Sequence, residues 1–205
     1  MSTEPTLRER QAANVRAKIR AAFIALVVER GPNGFPLTEV ARRAGIGERT
    51  LYRHYPNRDA IVDGIEANEV ATMESELVTP DRWESLLESG TPFVAIGFEV
   101  FERHADLVNA MRALRAAGVR NESSYARTQQ LRQLVSSTGE IPKESVDQLV
   151  GLIRLLSASD GWARLTEQDV GLNASEAGAA AQWAIEVLIE AARNQRGDLG
   201  GTNGE

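Results

Sequence analysis

The sequence predicts an all-α protein: an N-terminal three-helix head containing a helix-turn-helix, followed by a helical-bundle domain. Three observations predict it. Apolar residues recur at helical spacing in stretch after stretch, with glycine or proline between them. No pair of alternating segments reads as two paired strands, and no internal repeat is visible. Charge is also divided unevenly. Residues 8–58 hold 11 Arg and Lys against 4 Asp and Glu, whereas residues 59–205 hold 12 against 24, within a chain of net charge −6. A basic head on an acidic remainder is the asymmetry of a nucleic-acid-contacting module joined to a body with another task.

The elements follow in order. Residues 1–7 are polar and are expected to form a disordered arm. A first helix over 7–30 carries Val15, Ile19, Phe23 and Leu26 on one face, and the run Gly31, Pro32, Asn33, Gly34 ends it. Pro36 suits the first position of a second helix, where its missing N–H costs nothing. Leu37, Val40, Ala41 and Ala44 line that helix, and Gly45 allows a sharp left-handed turn. A short third helix is expected over 48–54 and a fourth over 58–78. The head is thus placed at 8–63.

The body, 64–196, reads as helix upon helix. A stretch over 81–102 carries Trp83, Leu86, Leu87, Phe93, Val94, Ile96 and Phe101, with Pro92 either kinking it or starting it. Helices follow over 104–117, 121–136, 142–161 and 174–193, and the glycine-rich residues 197–205 are expected to be a disordered tail. The chain has no cysteine, which excludes a disulfide framework and a thiolate metal site and fits the cytoplasm. It shows no signal peptide, and its longest apolar run is too short to span a membrane.

The densest chemistry lies in "AGIGERTLYRHYPNRDAI", residues 44–61. Two short helices meeting steeply need a small residue at the crossing, a glycine at the turn and apolar anchors on both sides. Ala41, Gly45, Val40, Ile46 and Leu51 meet those needs. His54 as a general base or metal ligand is the rival reading. The only other histidine is His104, and the sequence contains no HExxH motif and no evident Ser–His–Asp arrangement. No catalytic residue, cofactor or metal site is assigned.

The stretch "LTEVARRAGIGERTLYRHYPNRDAI" resembles the DNA-binding head of the tetracycline-repressor (TetR) family of bacterial transcription regulators, through "VARRAG", "TLYRHY" and Arg58 followed by Ile61. The resemblance covers about 25 residues, the body matching only in helical layout. It implies that the helix over 48–54 lies in the major groove of an operator. Thr50, Tyr52, His54 and Arg58 would then hold phosphates, and Thr38, Gly47, Glu48, Arg49 and Arg53 would approach base edges, with Arg49 or Arg53 reading a guanine. Two positions depart from the family pattern. Phe35–Pro36 replaces the usual capping threonine or serine, and Arg49 stands where glycine is frequent, so it either reaches a groove or points away. Glu48 either accepts from a cytosine amino group or caps its helix. Tyr55, at a position usually occupied by phenylalanine, is expected in the core.

For the body the resemblance implies homodimerisation and the sensing of a small-molecule effector. Dimer candidates are Val146, Leu149, Val150, Ile153, Ala181, Trp183, Ala184, Val187, Leu188 and Ala191. Effector-pocket candidates are Phe93, Phe98, Phe101, Met111, Tyr125 and Trp162. The expected function is a repressor of double-stranded, palindromic operator DNA, released by the effector. The alternatives are a constitutive DNA-binding protein and an all-helical enzyme.

Overall fold

The structure is a computed structural model that describes residues 6–77, 93–119 and 122–199, with the side chains of 122–124 and 195–199 left undescribed. Trp83, Leu86, Leu87 and Pro92 lie outside the described residues, so the expected helix over 81–102 is described only from Phe93 onward. Every described element is helical.

The chain divides into two compact units. The first holds the residues up to Met73 together with Ala105–Val119, and the second holds Glu74–His104 and the residues from 120 on.

In the first unit α1 spans Leu7–Arg30. It begins earlier than a disordered arm over 1–7 would allow, because Thr6 and Glu9 form a capping box. The Glu9 amide donates to Thr6 Oγ1 at 3.3 Å, and the Thr6 amide donates to Glu9 Oε2 at 2.7 Å. Ile19, Phe23, Leu26 and Val27 form the buried stripe of α1. Gly31, at φ 77°, ends it. Pro36 is the N-cap of α2 (Leu37–Arg43) rather than its first helical residue, and no side chain caps that helix.

The turn between α2 and α3 (Glu48–His54) is a Schellman motif. The Ile46 amide donates to Ala41 O at 3.0 Å and the Gly45 amide to Arg42 O at 3.2 Å, with Gly45 at φ 67°. Val40, Ala41 and Leu51 are buried around it, and Ile46 is half-buried. Asn57 Oδ1 accepts from the Ala60 amide and starts α4 (Arg58–Ile65).

The helix leading out of the head is not uniform. After α4 comes a π segment, Glu66–Val70, and then α5, Ala71–Leu77. The Ala71 amide reaches back five residues to Glu66 O, and Asn68 Nδ2 donates to Gly64 O at 2.8 Å. The wider turn brings Val70 onto the buried side already occupied by Ile61 and Ile65. A helix from the second half of the chain completes this unit: α7, Ala105–Ala116, packs against α1 through a buried face that includes Leu107, Val108, Met111 and Leu114.

The second unit holds α6 (Phe93–Arg103), α8 (Glu122–Ser137), α9 (Lys143–Ser157), α10 (Ser159–Thr166) and α11 (Ala174–Leu199). A break at the extended Ala158 splits the single helix expected over 142–161 into α9 and α10. α11 runs to Leu199, past the end near residue 193 that the sequence suggests. α6 and α11 approach closely: a Cβ on Gly178 would lie 2.4 Å from Ala95 Cα, so only glycine fits there. Gln182 is buried at the same contact, where its side-chain oxygen accepts from the Val94 amide at 3.1 Å.

Candidate nucleic-acid interface

α3 has one buried residue, Leu51. Gly47, Glu48, Arg49, Tyr52 and Arg53 are exposed, and so is Thr38 on α2, while Thr50 and His54 are half-buried. No ion pair or hydrogen bond engages Arg49, Tyr52 or Arg53 among the described residues. The other arginines of this unit are mostly committed. Arg43 grips Glu29 with two bonds of 2.6 Å, Arg30 and Arg42 both hold Glu39, and Arg20 is buried. The unpaired cations on α3 stand on one exposed helix, where nothing described neutralises them.

Gly47 is the N-cap of α3 and has open space beside its α-carbon. Glu48 occupies the first turn without making a side-chain cap bond, so the capping role expected as one alternative is absent. Its carboxylate there is favourable to the helix dipole.

The His54 ring has its pKa lowered, first by burial and then by the charges of Arg53 and Arg16. Tyr55 is in the core, as its position suggests, yet its hydroxyl is not idle. Arg20 donates Nη1–H to it at 2.9 Å and donates Nε–H to both carboxylate oxygens of Glu69, at 2.7 and 2.8 Å. This buried group joins α1, the end of α3 and the π segment. The sequence hides it, because Arg20 is adjacent to the apolar stripe and reads as solvated.

Arg58 is the clearest difference from expectation. A phosphate contact needs the guanidinium at the surface, and the structure turns it inward. It donates to Pro32 O and, at 2.6 Å, to Phe35 O. Its guanidinium lies 4.5 Å from the ring centre of Phe35 and 5.2 Å from that of Phe23, and the two rings meet edge to face. Arg58 thus closes the loop between α1 and α2. No local spacing signals this, because Phe23 and Phe35 meet only across the loop between α1 and α2.

In the second unit, Phe98, Phe101 and Trp162 form a buried aromatic cluster, with Phe101 6.1 Å from Phe98 and 6.2 Å from Trp162. Trp162 Nε1 is buried without an acceptor among the described residues. Of the other pocket candidates, Phe93 is half-buried, Tyr125 is 69% exposed, and Met111 is buried in the first unit. The dimer candidates also divide. Val146, Leu149, Val150, Ile153 and Ala181 are buried within the described fold. Ala184 and Leu188 are half-buried, and Trp183, Val187 and Ala191 are exposed. Leu152 and Leu155, which were not expected there, are exposed on α9.

Residues 19–65 match the family model described as bacterial regulatory proteins, tetR family. The head is a tetR-family head. Its match begins at the first buried residue of α1 and ends with α4, so it contains α2, the Schellman turn and α3. No curated protein matches the sequence. Two solved structures share the fold over most of their length. One is a transcriptional regulator from Rhodococcus sp. Rha1, with TM-score 0.59 and 19% identity, covering 88% of this chain and 96% of that one. The other is the TetR-family transcriptional regulator PfmR from Thermus thermophilus, with TM-score 0.55 and 14% identity, covering 90% and 96%. The chain shares the fold of these transcriptional regulators, and the matched family and these neighbours are regulators rather than enzymes. No helix among the described residues is long and apolar enough to cross a membrane.

Proposed function

We propose that the protein is a homodimeric repressor of palindromic operator DNA that acts in the cytoplasm and is released by a small-molecule effector. The observation that carries the DNA-binding part is the exposed face of α3, where Arg49, Arg53 and Tyr52 are unpaired within a tetR-family head. Tyr52, Thr50 and His54 hold phosphates, and Thr38, Gly47, Glu48, Arg49 and Arg53 face the bases. Arg58 supports the head from within and is not assigned to phosphate.

One head spans one half-site, so a palindromic operator calls for a two-fold dimer. The outward sides of α9 and α11 support that pairing, since Leu152, Leu155, Trp183 and Val187 are large apolar side chains left exposed. The effector site is assigned to the aromatic cluster of Phe98, Phe101 and Trp162, whose unsatisfied indole N–H is available to an acceptor on the ligand. Release follows when the ligand favours a state in which the two heads no longer match the operator spacing.

Selection of binding sites from random duplex DNA tests the reading. A palindromic consensus with two half-sites about one helical turn apart is expected, and failure to enrich any sequence overturns it. A thermal-shift screen of small molecules, followed by operator titration, tests release: a ligand that raises the melting temperature must also weaken DNA binding.

A further inference from the structure

α1 brings a second cation to the end of the recognition helix. The register of α1 is fixed there by Arg20, which donates to the hydroxyl of Tyr55, the residue immediately after His54. Arg16 lies one turn earlier, on the same side of α1 as Arg20. It is exposed, and no described residue pairs with it. Its charge nonetheless reaches the His54 ring, as does that of Arg53 on α3. Arg20, the next cation along that side of α1, is itself paired with Glu69 on the π segment. The Arg20–Tyr55 bond thus sets the Arg16 side of α1 toward the end of α3, where Arg53 and His54 stand, and two unpaired arginines there favour an anion.

We propose that Arg16 and His54 together seat one phosphate of the operator backbone, and that DNA binding by this chain consequently takes up a proton. The inference rests on the reading of the chain as a DNA-binding regulator, and it adds to that interface a helix that lies ahead of the helix-turn-helix. In the free head, burial and two neighbouring cations favour the neutral ring. A phosphate placed between Arg16 and His54 screens the first and rewards the second for being charged, so the imidazolium form is favoured in the complex. The sign follows: the complex holds more protons than the free protein in the window between the two His54 pKa values, so affinity rises as pH falls through that window.

The test uses the full chain and a duplex recovered by site selection, with binding read by fluorescence anisotropy across KCl concentration and from about pH 8 to about pH 6. The wild-type protein is expected to gain affinity toward acid, by up to about tenfold per pH unit for each head. His54→Gln should bind with a flattened pH profile. Arg16→Ala should lower the salt dependence by about one counterion per head, and Arg16→Lys should restore it. Arg16 makes no described bond within the protein, so the melting temperature of these variants reports whether folding has been left intact. A wild-type profile as flat as that of His54→Gln overturns the inference, and so does an Arg16→Ala variant with the wild-type salt slope. If the wild-type protein enriches no duplex at low salt, the regulator reading itself falls, and this inference with it.

Discussion

At the scale of single residues, the head sorts its arginines into those that hold the fold and those left for a partner. Arg58 belongs to the first kind. Arg58→Ala removes two bonds to loop carbonyls and a cation packed on two rings, so it should cost about 2 kcal/mol of stability. Urea denaturation checks this, and an unchanged midpoint would return Arg58 to the DNA surface. Arg49 belongs to the second kind. Arg49→Ala should leave the melting curve alone but relax the base preference at one operator position, by roughly 1–3 kcal/mol; an unaltered selection profile would remove its readout role. The identity of the surface residues was legible because exposure on a short amphipathic helix follows from its pattern. The inward turn of Arg58 was not, because it depends on Phe23 and Phe35 meeting across a loop, which no local spacing reveals.

At the scale of elements, the helices of the head could be placed from glycine, proline and apolar spacing, and the Schellman turn at Gly45 lies where the pattern put it. The limits of α1, Leu7–Arg30, are those expected, and the capping box at Thr6 and Glu9 fixes its start. One boundary was harder: the extended Ala158 divides α9 from α10 although neither glycine nor proline marks the spot. The ends of α5 and α6 are joined through Glu76, which accepts from Arg103 at 2.6 Å and pairs with His104 at 2.9 Å. These bonds, Arg103 first and His104 second, hold the Glu76 carboxyl below its ordinary range. A carboxylate with a depressed folded-state pKa stabilises the fold above its unfolded pKa, and that contribution disappears as pH falls through the folded value. Glu76→Gln should therefore melt lower than wild type at neutral pH, with the gap closing in acid. A gap that stays constant with pH would show that the ion pair contributes nothing.

At the scale of the whole molecule, the head declares itself in the sequence and the body does not. Helical layout marks the body as a bundle, but which side of each helix faces inward depends on partners distant in the chain. Val146, Leu149, Val150 and Ile153 form so regular a stripe that they were candidates for an interface, whereas they are buried and the exposed apolar residues of α9 are Leu152 and Leu155. The double substitution Leu155→Glu and Trp183→Glu should yield a folded monomer in sedimentation and lose operator binding, since charges replace apolar surface at the proposed dimer face. A dimer that survives both changes places the interface elsewhere. The division of the chain itself was also unexpected, because α7 comes from the middle of the sequence yet belongs with the head.

The π segment carries a consequence for how this chain could change in length. An α-helix tolerates neither gain nor loss of one residue, since everything downstream would rotate by about 100°. A π turn is a helix that already carries one residue too many. In Glu66–Val70 the surplus can be given back: without the exposed Ala67, the buried Ile65 and Val70 would stand four apart, a spacing the ordinary helix accepts. The exit from the head is thus a place where a single-residue deletion can be absorbed, and a variant lacking Ala67 should fold with α4 and α5 as one unbroken helix.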